Sequence, residues 1–303
     1  MYRTILFATT ATPSCDNAAK VAFDLANKYS ARLIVLHVLG QPTRGYSQVA
    51  VDYRTGQEVS VDPDYIEWVR EELRNTYAKQ LAEAKGEVDL TVKIGMPCTE
   101  ILRLARQEKA DLVVMGANTR SEETAASRFR DIVGRTLRKV AKSSRAPVLI
   151  VARPCSTCFW YFSNIVLATD FSKASLSAFL YAQKLAKTIG CRLHFFHCVE
   201  LPQGAAVDQK RIEEKVAEAR ARMEESYIKQ LDDFDNYDLE VREGTPHVEI
   251  LKFAREKSGD LIVMAHHTRD VPEDEAEIGG TVEQVVLRSA CPVASVNRPD
   301  RLE

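Results

Sequence analysis

The feature that most constrains this chain is that its motifs occur twice, in the same order. Thr4-Ile5-Leu6-Phe7-Ala8-Thr9-Thr10 is matched 160 positions on by Asn164-Ile165-Val166-Leu167-Ala168-Thr169-Asp170, and Arg32-Leu33-Ile34-Val35-Leu36-His37 is matched at the same offset by Arg192-Leu193-His194-Phe195-Phe196-His197. Gly95-Met96-Pro97-Cys98-Thr99-Glu100-Ile101-Leu102 then pairs with Gly244-Thr245-Pro246-His247-Val248-Glu249-Ile250-Leu251, and Ala146-Pro147-Val148 with Cys291-Pro292-Val293. The expected organisation is a tandem duplication, one domain over 1–154 and a second over 163–303, joined by a linker at 155–162. Each half is long enough to bury about 68–70% of its unfolded surface without disulfides or a metal.

Within each half, short apolar runs alternate with helical spacing. Thr4–Ala8 reads as a strand, and Ser14–Tyr29 carries Ala18, Ala19, Ala22, Phe23 and Ala26 on one helical face. Arg32–Leu39, Val88–Ile94, Leu112–Met115 and Pro147–Val151 read as further strands, with a polar excursion from Gly40 to Pro63 and a long helix over Tyr65–Lys85. Pro97 and Glu100 favour the start of another helix, and Ile132–Ser144 reads as the last. Uniformly apolar strands alternating with helices predict an α/β fold, a doubly wound parallel sheet covered on both faces. In such a sheet, ligands bind beyond the carboxyl ends of the strands where strand order reverses, here the ends of strands one and four.

Acidic and basic residues nearly cancel, 43 against 41, without a basic face, so nucleic acid is not the expected partner. Seven cysteines are scattered and odd in number, which fits reduced thiols and a cytoplasmic protein. The apolar core of the N-terminus, Ile5 to Ala8, is shorter than the about 7–15 residues of a secretory segment and recurs mid-chain, so it reads as a strand. No apolar run approaches the roughly 20 residues that span a bilayer, and no membrane partner is expected.

A strand ending in Ala168-Thr169-Asp170-Phe171-Ser172, strands ending in His37-Val38 and His197-Cys198, the Gly-x-Pro-x-x-x-Ile turns, Val114-Met115-Gly116 and the late Cys291-Pro292-Val293 form an ordered set. In that combination the chain resembles the universal stress protein family, over nearly its whole length and twice. The resemblance implies two flavodoxin-like (adenine-nucleotide α-hydrolase-like) domains with a five-stranded parallel sheet each, pairing as an intramolecular pseudo-dimer or in a homo-oligomer. It also implies a choice between members that bind ATP or AMP and members that do not.

In nucleotide-binding members, a Gly-x-x-Gly, a spacer and then Gly-Ser or Gly-Thr bring backbone N–H groups to the phosphates, with an Asp at the end of strand one. Transferred by position, the second-domain candidates are Ala168, Asp170, Cys198, Met264, His267, Gly279, Gly280 and Thr281. Ala265 and Thr268, however, replace both early glycines. In the first domain Gly116, Gly134 and Arg135 remain, but Thr119 takes the place of a glycine and Thr10 that of the Asp. A β-branched residue forced to positive φ costs about 1–3 kcal/mol, so these loops are expected to have taken another shape. The resulting expectation is a non-catalytic stress-response or regulatory protein that requires no cofactor and acts by binding rather than turnover, a small molecule being one candidate ligand. The alternative is an ATP or AMP sensor using the second domain, with slow hydrolysis.

His197, His247 and His266 fall near the same sheet edge and would be the ligands of a zinc site, although their spacing fits no local metal motif and His37 occupies the place of His197 in the first copy. Cys155-Ser156-Thr157-Cys158 lies in the linker ahead of an aromatic run, not between a strand and a helix as a redox motif requires. The loop 120–131 is Arg-containing and the loop 269–278 Glu/Asp-rich, the ordinary property of solvated segments. No Gly-x-Ser-x-Gly, His-Glu-x-x-His or Gly-x-x-x-x-Gly-Lys occurs.

Overall fold

The computed structural model describes residues 1–40, 49–52, 54–60, 62–117, 133–153, 162–200, 209–265 and 280–296. They form two compact units, Met1–Ala152 and Arg153–Glu303.

In the first unit, β1 (Thr4–Thr9) leads to α1 (Asp16–Tyr29) and β2 (Arg32–Gly40). A hairpin of β3 (Val49–Asp52) and β4 (Gln57–Ser60) follows, then α2 (Pro63–Thr76), α3 (Ala78–Ala82), β5 (Val88–Gly95), α4 (Pro97–Gln107), β6 (Leu112–Gly116), α5 (Arg135–Ser143) and β7 (Val148–Val151). The parallel strands run in the order β5-β2-β1-β6-β7, so the direction of winding reverses between β1 and β6.

The second unit repeats the plan with β8 (Asn164–Ala168), α6 (Lys173–Ile189), β9 (Arg192–Glu200), α7 (Gln209–Ser226), β10 (Tyr237–Gly244), α8 (Pro246–Glu256), β11 (Leu261–Ala265), α9 (Gly280–Arg288) and β12 (Val293–Val296). Its order, β10-β9-β8-β11-β12, reverses between β8 and β11. Among the described residues no helix is long and apolar enough to cross a membrane.

The strands are apolar on both faces because helices cover both. Ile5, Leu6, Phe7, Leu33, Val35, Leu36, Leu112, Val113 and Val114 are fully buried in the first unit, and Ile165, Val166, Leu167, Leu193, Phe195 and Leu261 in the second. Each such side chain contributes about 1.5–3 kcal/mol of burial. Pro97 and Pro246 open α4 and α8 where a missing N–H costs nothing. At the glycines two residues before them any side chain would be strained. Gly244 has φ 142°, and a Cβ there would stand 3.0 Å from Glu249 Cγ, while Gly95, with φ 150°, faces Glu100 in the same way.

Two expectations from periodicity need correction. The long helix expected over Tyr65–Lys85 breaks at Tyr77, which leaves helical geometry at φ −105°, ψ 19°. The break turns the Tyr77 ring into the core, where it is 1% exposed and its phenol lies 2.6 Å from the Thr9 hydroxyl. The excursion from Gly40 to Pro63 contains the β3–β4 hairpin, joined to the end of β2 by an antiparallel pairing of Val51 with Gly40.

Candidate functional site

The carboxyl ends of β8 and β11 lie at the point of strand reversal, and the chain turns sharply after β8. Phe171 adopts a left-handed conformation, φ 61°, which costs a non-glycine residue on the order of 1 kcal/mol. Its N–H donates to Thr169 Oγ1 at 3.0 Å, and its ring packs on His197, centroids 4.5 Å apart, with the Arg222 guanidinium over it at 4.6 Å. The turn aims Asp170 back over the start of α6, where Oδ1 accepts from Ser172 N–H at 3.0 Å and from the Ser175 hydroxyl at 2.6 Å.

Beside this turn is a cleft of about 410 Å³, within the roughly 300–1,000 Å³ usual for ligand sites. Of the second-domain candidates, it brings together Ala168, Asp170, Cys198, Met264 and Thr281. Gly280 starts α9 next to Thr281 but does not line the cleft. His267 and Gly279 lie outside the described residues, as does His266 of the zinc set.

The remaining metal candidates do not assemble. His197 lines the cleft and bonds through Nδ1 to the Thr169 carbonyl at 2.8 Å, whereas His247, in the first turn of α8, does not line it. Burial lowers the His247 pKa, and nearby Arg288 lowers it further. Among the described residues no group of three His, Cys, Asp or Glu side chains is placed to hold a metal ion. Burial pushes the Cys198 thiol up to about 12, with Glu249, Glu200 and Glu243 adding to the shift, so it stays protonated and is a poor nucleophile. The Ser175 hydroxyl is bonded to a carboxylate and not to an imidazole, an arrangement that orients but does not activate it.

The first unit builds the same frame and covers its strand-end histidine. His37 Nδ1 meets the Thr9 carbonyl at 3.1 Å, and Ala11 repeats the left-handed turn at φ 54°. Over this ring sits Asp52 of the hairpin, its Oδ1 3.7 Å from His37 Nε2, with both side chains 0% exposed. Arg54 and Tyr65 hold Asp52 at 2.6 and 2.8 Å, and the Arg54 guanidinium stacks on Trp68 at 4.9 Å. Burial alone would raise the Asp52 carboxyl, but the facing His37 ring and the bonds from Arg54 and Tyr65 hold it well below the usual carboxylate range.

Thr10, in the place of Asp170, bonds to Thr12 and Cys15 instead. Gly116 has a packing reason to be glycine, since a Cβ there would stand 3.3 Å from the Ser14 carbonyl oxygen. Gly134 is the N-cap of α5 and Arg135 its first residue. Cys155 and Cys158 lie outside the described residues, as do the loops 120–131 and 269–278.

Sequence reasoning missed the Thr169–Tyr227 bond at 2.6 Å, its twin between Thr9 and Tyr77, and the contribution of Ser175, Glu200 and Lys215 to the cleft. One signal was available for the tyrosines. Tyr77-Ala78-Lys79-Gln80-Leu81 reappears as Tyr227-Ile228-Lys229-Gln230-Leu231, a further member of the repeat.

Two doubly wound α/β units built from one repeated frame define a tandem protein of flavodoxin-like fold. The model of the universal stress protein family matches residues 1–152 and 162–297, and the chain belongs to that family. A universal stress protein of Methanocaldococcus jannaschii is 26% identical over 145 residues, covering 46% of this chain and 85% of its own. One from Thermus aquaticus is 31% identical over 156 residues, covering 50% of this chain and 99% of its own. The crystal structure of a universal stress protein from Archaeoglobus fulgidus covers 98% of this chain and 97% of its own at 22% identity, with a TM-score of 0.65, a likeness of fold.

Proposed function

We propose that the chain is a non-catalytic stress-response regulator of the cytoplasm that works by binding a small, nucleoside-containing molecule in its second copy, the two copies spanning 1–154 and 163–303 with 155–162 between them. The observation that carries this reading is the cleft at the end of β8, where Ala168, Asp170, Cys198, Met264 and Thr281 converge. Phe196, Val199, Ile250 and Val282 give it apolar lining, and Asp170 and Ser175 polar groups, the mixture that orients a flat ligand carrying hydroxyl groups. Membership of the universal stress protein family supports a regulatory role. The bonded states of Ser175 and His197 and the raised Cys198 thiol supply no activated nucleophile, which supports binding without turnover.

A second reading, an ATP or AMP sensor with slow hydrolysis, is favoured by one feature. Thr281, in the first turn of α9, lines the same cleft, where a phosphate could meet a hydroxyl and the amide end of a helix. Titration calorimetry of the full chain with adenosine, AMP and ATP tests both. Binding of at least one of them, weakened about tenfold by Asp170→Ala, is the expected result. Silence toward all three ends the reading.

A further inference from the structure

The charges around the second-unit cleft are unfavourable for phosphate. Among the described residues, Asp170 and Glu200 line it against one lysine or arginine, Lys215. Glu243 and Glu249 stand close enough to act on the Cys198 thiol that lines the cleft, although Glu249 is also paired with Lys252 at 2.6 Å. Arg222, beside the Asp170 turn, is engaged with the Phe171 ring at 4.6 Å and its carbonyl at 3.4 Å. The helix end that would receive a phosphate is also compromised. α9 carries Glu283 in its first turn, where its carboxylate complements the helix dipole that an incoming anion would otherwise use.

The first unit provides the contrast. Counting back 145 positions from Pro292 to Pro147, Glu283 corresponds to Arg138 and Gly280 to Arg135, and α5 has no acidic residue in its first turn. The helix with the basic start thus belongs to the unit whose strand-end His37 is covered by Asp52. The helix with the acidic start belongs to the unit with the cleft.

We infer that the second-unit cleft selects uncharged or cationic ligands of nucleoside size and discriminates against phosphorylated ones, so that its ligand class is the nucleoside and not the nucleotide. The apolar lining takes a flat body, and the lining carboxylates accept hydroxyl or amino donors, an arrangement satisfied by a ribose and repelled by each added phosphate. This inference rests on the reading of the cleft as a binding site.

The test is a calorimetric series with adenosine, AMP and ATP on the full chain in metal-free buffer, at about 50 mM and about 300 mM salt. Adenosine is expected to bind tightest, and ATP about tenfold or more weaker at the lower salt. Because the handicap is like-charge repulsion, the gap should narrow as salt rises. Glu200→Gln and Glu283→Gln should each narrow it further. ATP binding as tightly as adenosine at low salt, or a gap indifferent to salt and to both substitutions, would overturn the inference while leaving the cleft a ligand site. Binding of none of the three would remove the site itself.

Discussion

The phenol of Tyr227 and the hydroxyl of Thr169 meet at 2.6 Å, both residues buried, at the point where β8 ends and the left-handed turn begins. The same hydroxyl receives the Phe171 N–H, so one oxygen ties the helical layer, the strand end and the turn that carries Asp170. Tyr227→Phe removes one of these bonds and is expected to cost about 1 kcal/mol. Thr169→Val removes both and leaves a buried phenol and a turn amide without partners, at about 2–3 kcal/mol. Urea denaturation of the two variants should rank them in that order. Burial raises the Tyr227 pKa, so its contribution is complete below the ordinary phenol value of about 10 and is lost as pH rises past it. Stability that declines equally above pH ~10 in Tyr227→Phe would contradict the assignment.

Asp52 is the keystone of the hairpin over His37. Asp52→Ala leaves the Arg54 guanidinium, whose side chain is only 10% exposed, without its closer carboxylate, Glu72 standing 3.9 Å away, and a loss of about 3 kcal/mol is expected. The local readout is hydrogen exchange over 49–60 together with modification of His37 by diethyl pyrocarbonate, both of which should rise. A carboxyl held below its ordinary range stabilises above the unfolded value of about 4 and loses that effect as pH falls below it. The hairpin should therefore stay closed through mildly acidic pH and open only under stronger acid. His37 reacting as fast in the parent as in Asp52→Ala would show that the hairpin does not cover it.

His194 introduces a different sensitivity at the opposite edge of the second sheet. Its Nδ1 lies 2.5 Å from Asp238 Oδ1 and its Nε2 3.0 Å from Asn164 Oδ1, with Lys257 on the far oxygen of Asp238 at 2.7 Å and Phe253 edge-on. Burial lowers the His194 pKa; Asp238 opposes the shift, and Lys257 and Arg192 reinforce it. A depressed folded-state value means that the stabilising contribution is present above the unfolded value of about 6.5 and is lost as pH falls through the folded one. The matching position in the first copy is Ile34, so His194→Ile tests the point with a residue the frame already accepts. The urea midpoint of the parent should fall between pH ~7 and ~5.5, and that of His194→Ile should change less. Equal slopes would remove His194 as the cause.

Much of the frame was legible in the sequence because apolar runs and the Gly-x-Pro turns are local signals. The alternation of Ile5-Leu6-Phe7 with the helical face of Ala18, Ala22 and Ala26 needs no knowledge of distant residues, and it implies a sheet covered on both faces. The convergence of Ala168, Asp170, Cys198 and Met264 was also legible, since they stand at strand ends that parallel pairing brings to one edge. What escaped depends on partners far along the chain. The helix break at Tyr77 answers to Thr9, 68 residues away, and periodicity carries no trace of such a bond. The β3–β4 hairpin escaped for a related reason. Gln57 to Ser60 show no alternating burial, and what holds the hairpin is the anchoring of Asp52 by Arg54 and Tyr65. Glu200 and Lys215 join the rim from the end of β9 and from α7, elements whose approach is set by tertiary packing.

The carboxylate above His37 is tethered to the sheet it covers. A tethered group acts at an effective concentration of about millimolar or higher and does not leave by dilution. For a molecule from solution to reach that ring, it must outcompete a resident that is always present and is held by an arginine and a tyrosine besides. Duplication has thus produced two sheets of one design with different thermodynamic terms of entry, and in one of them the competitor is inherited with the polypeptide.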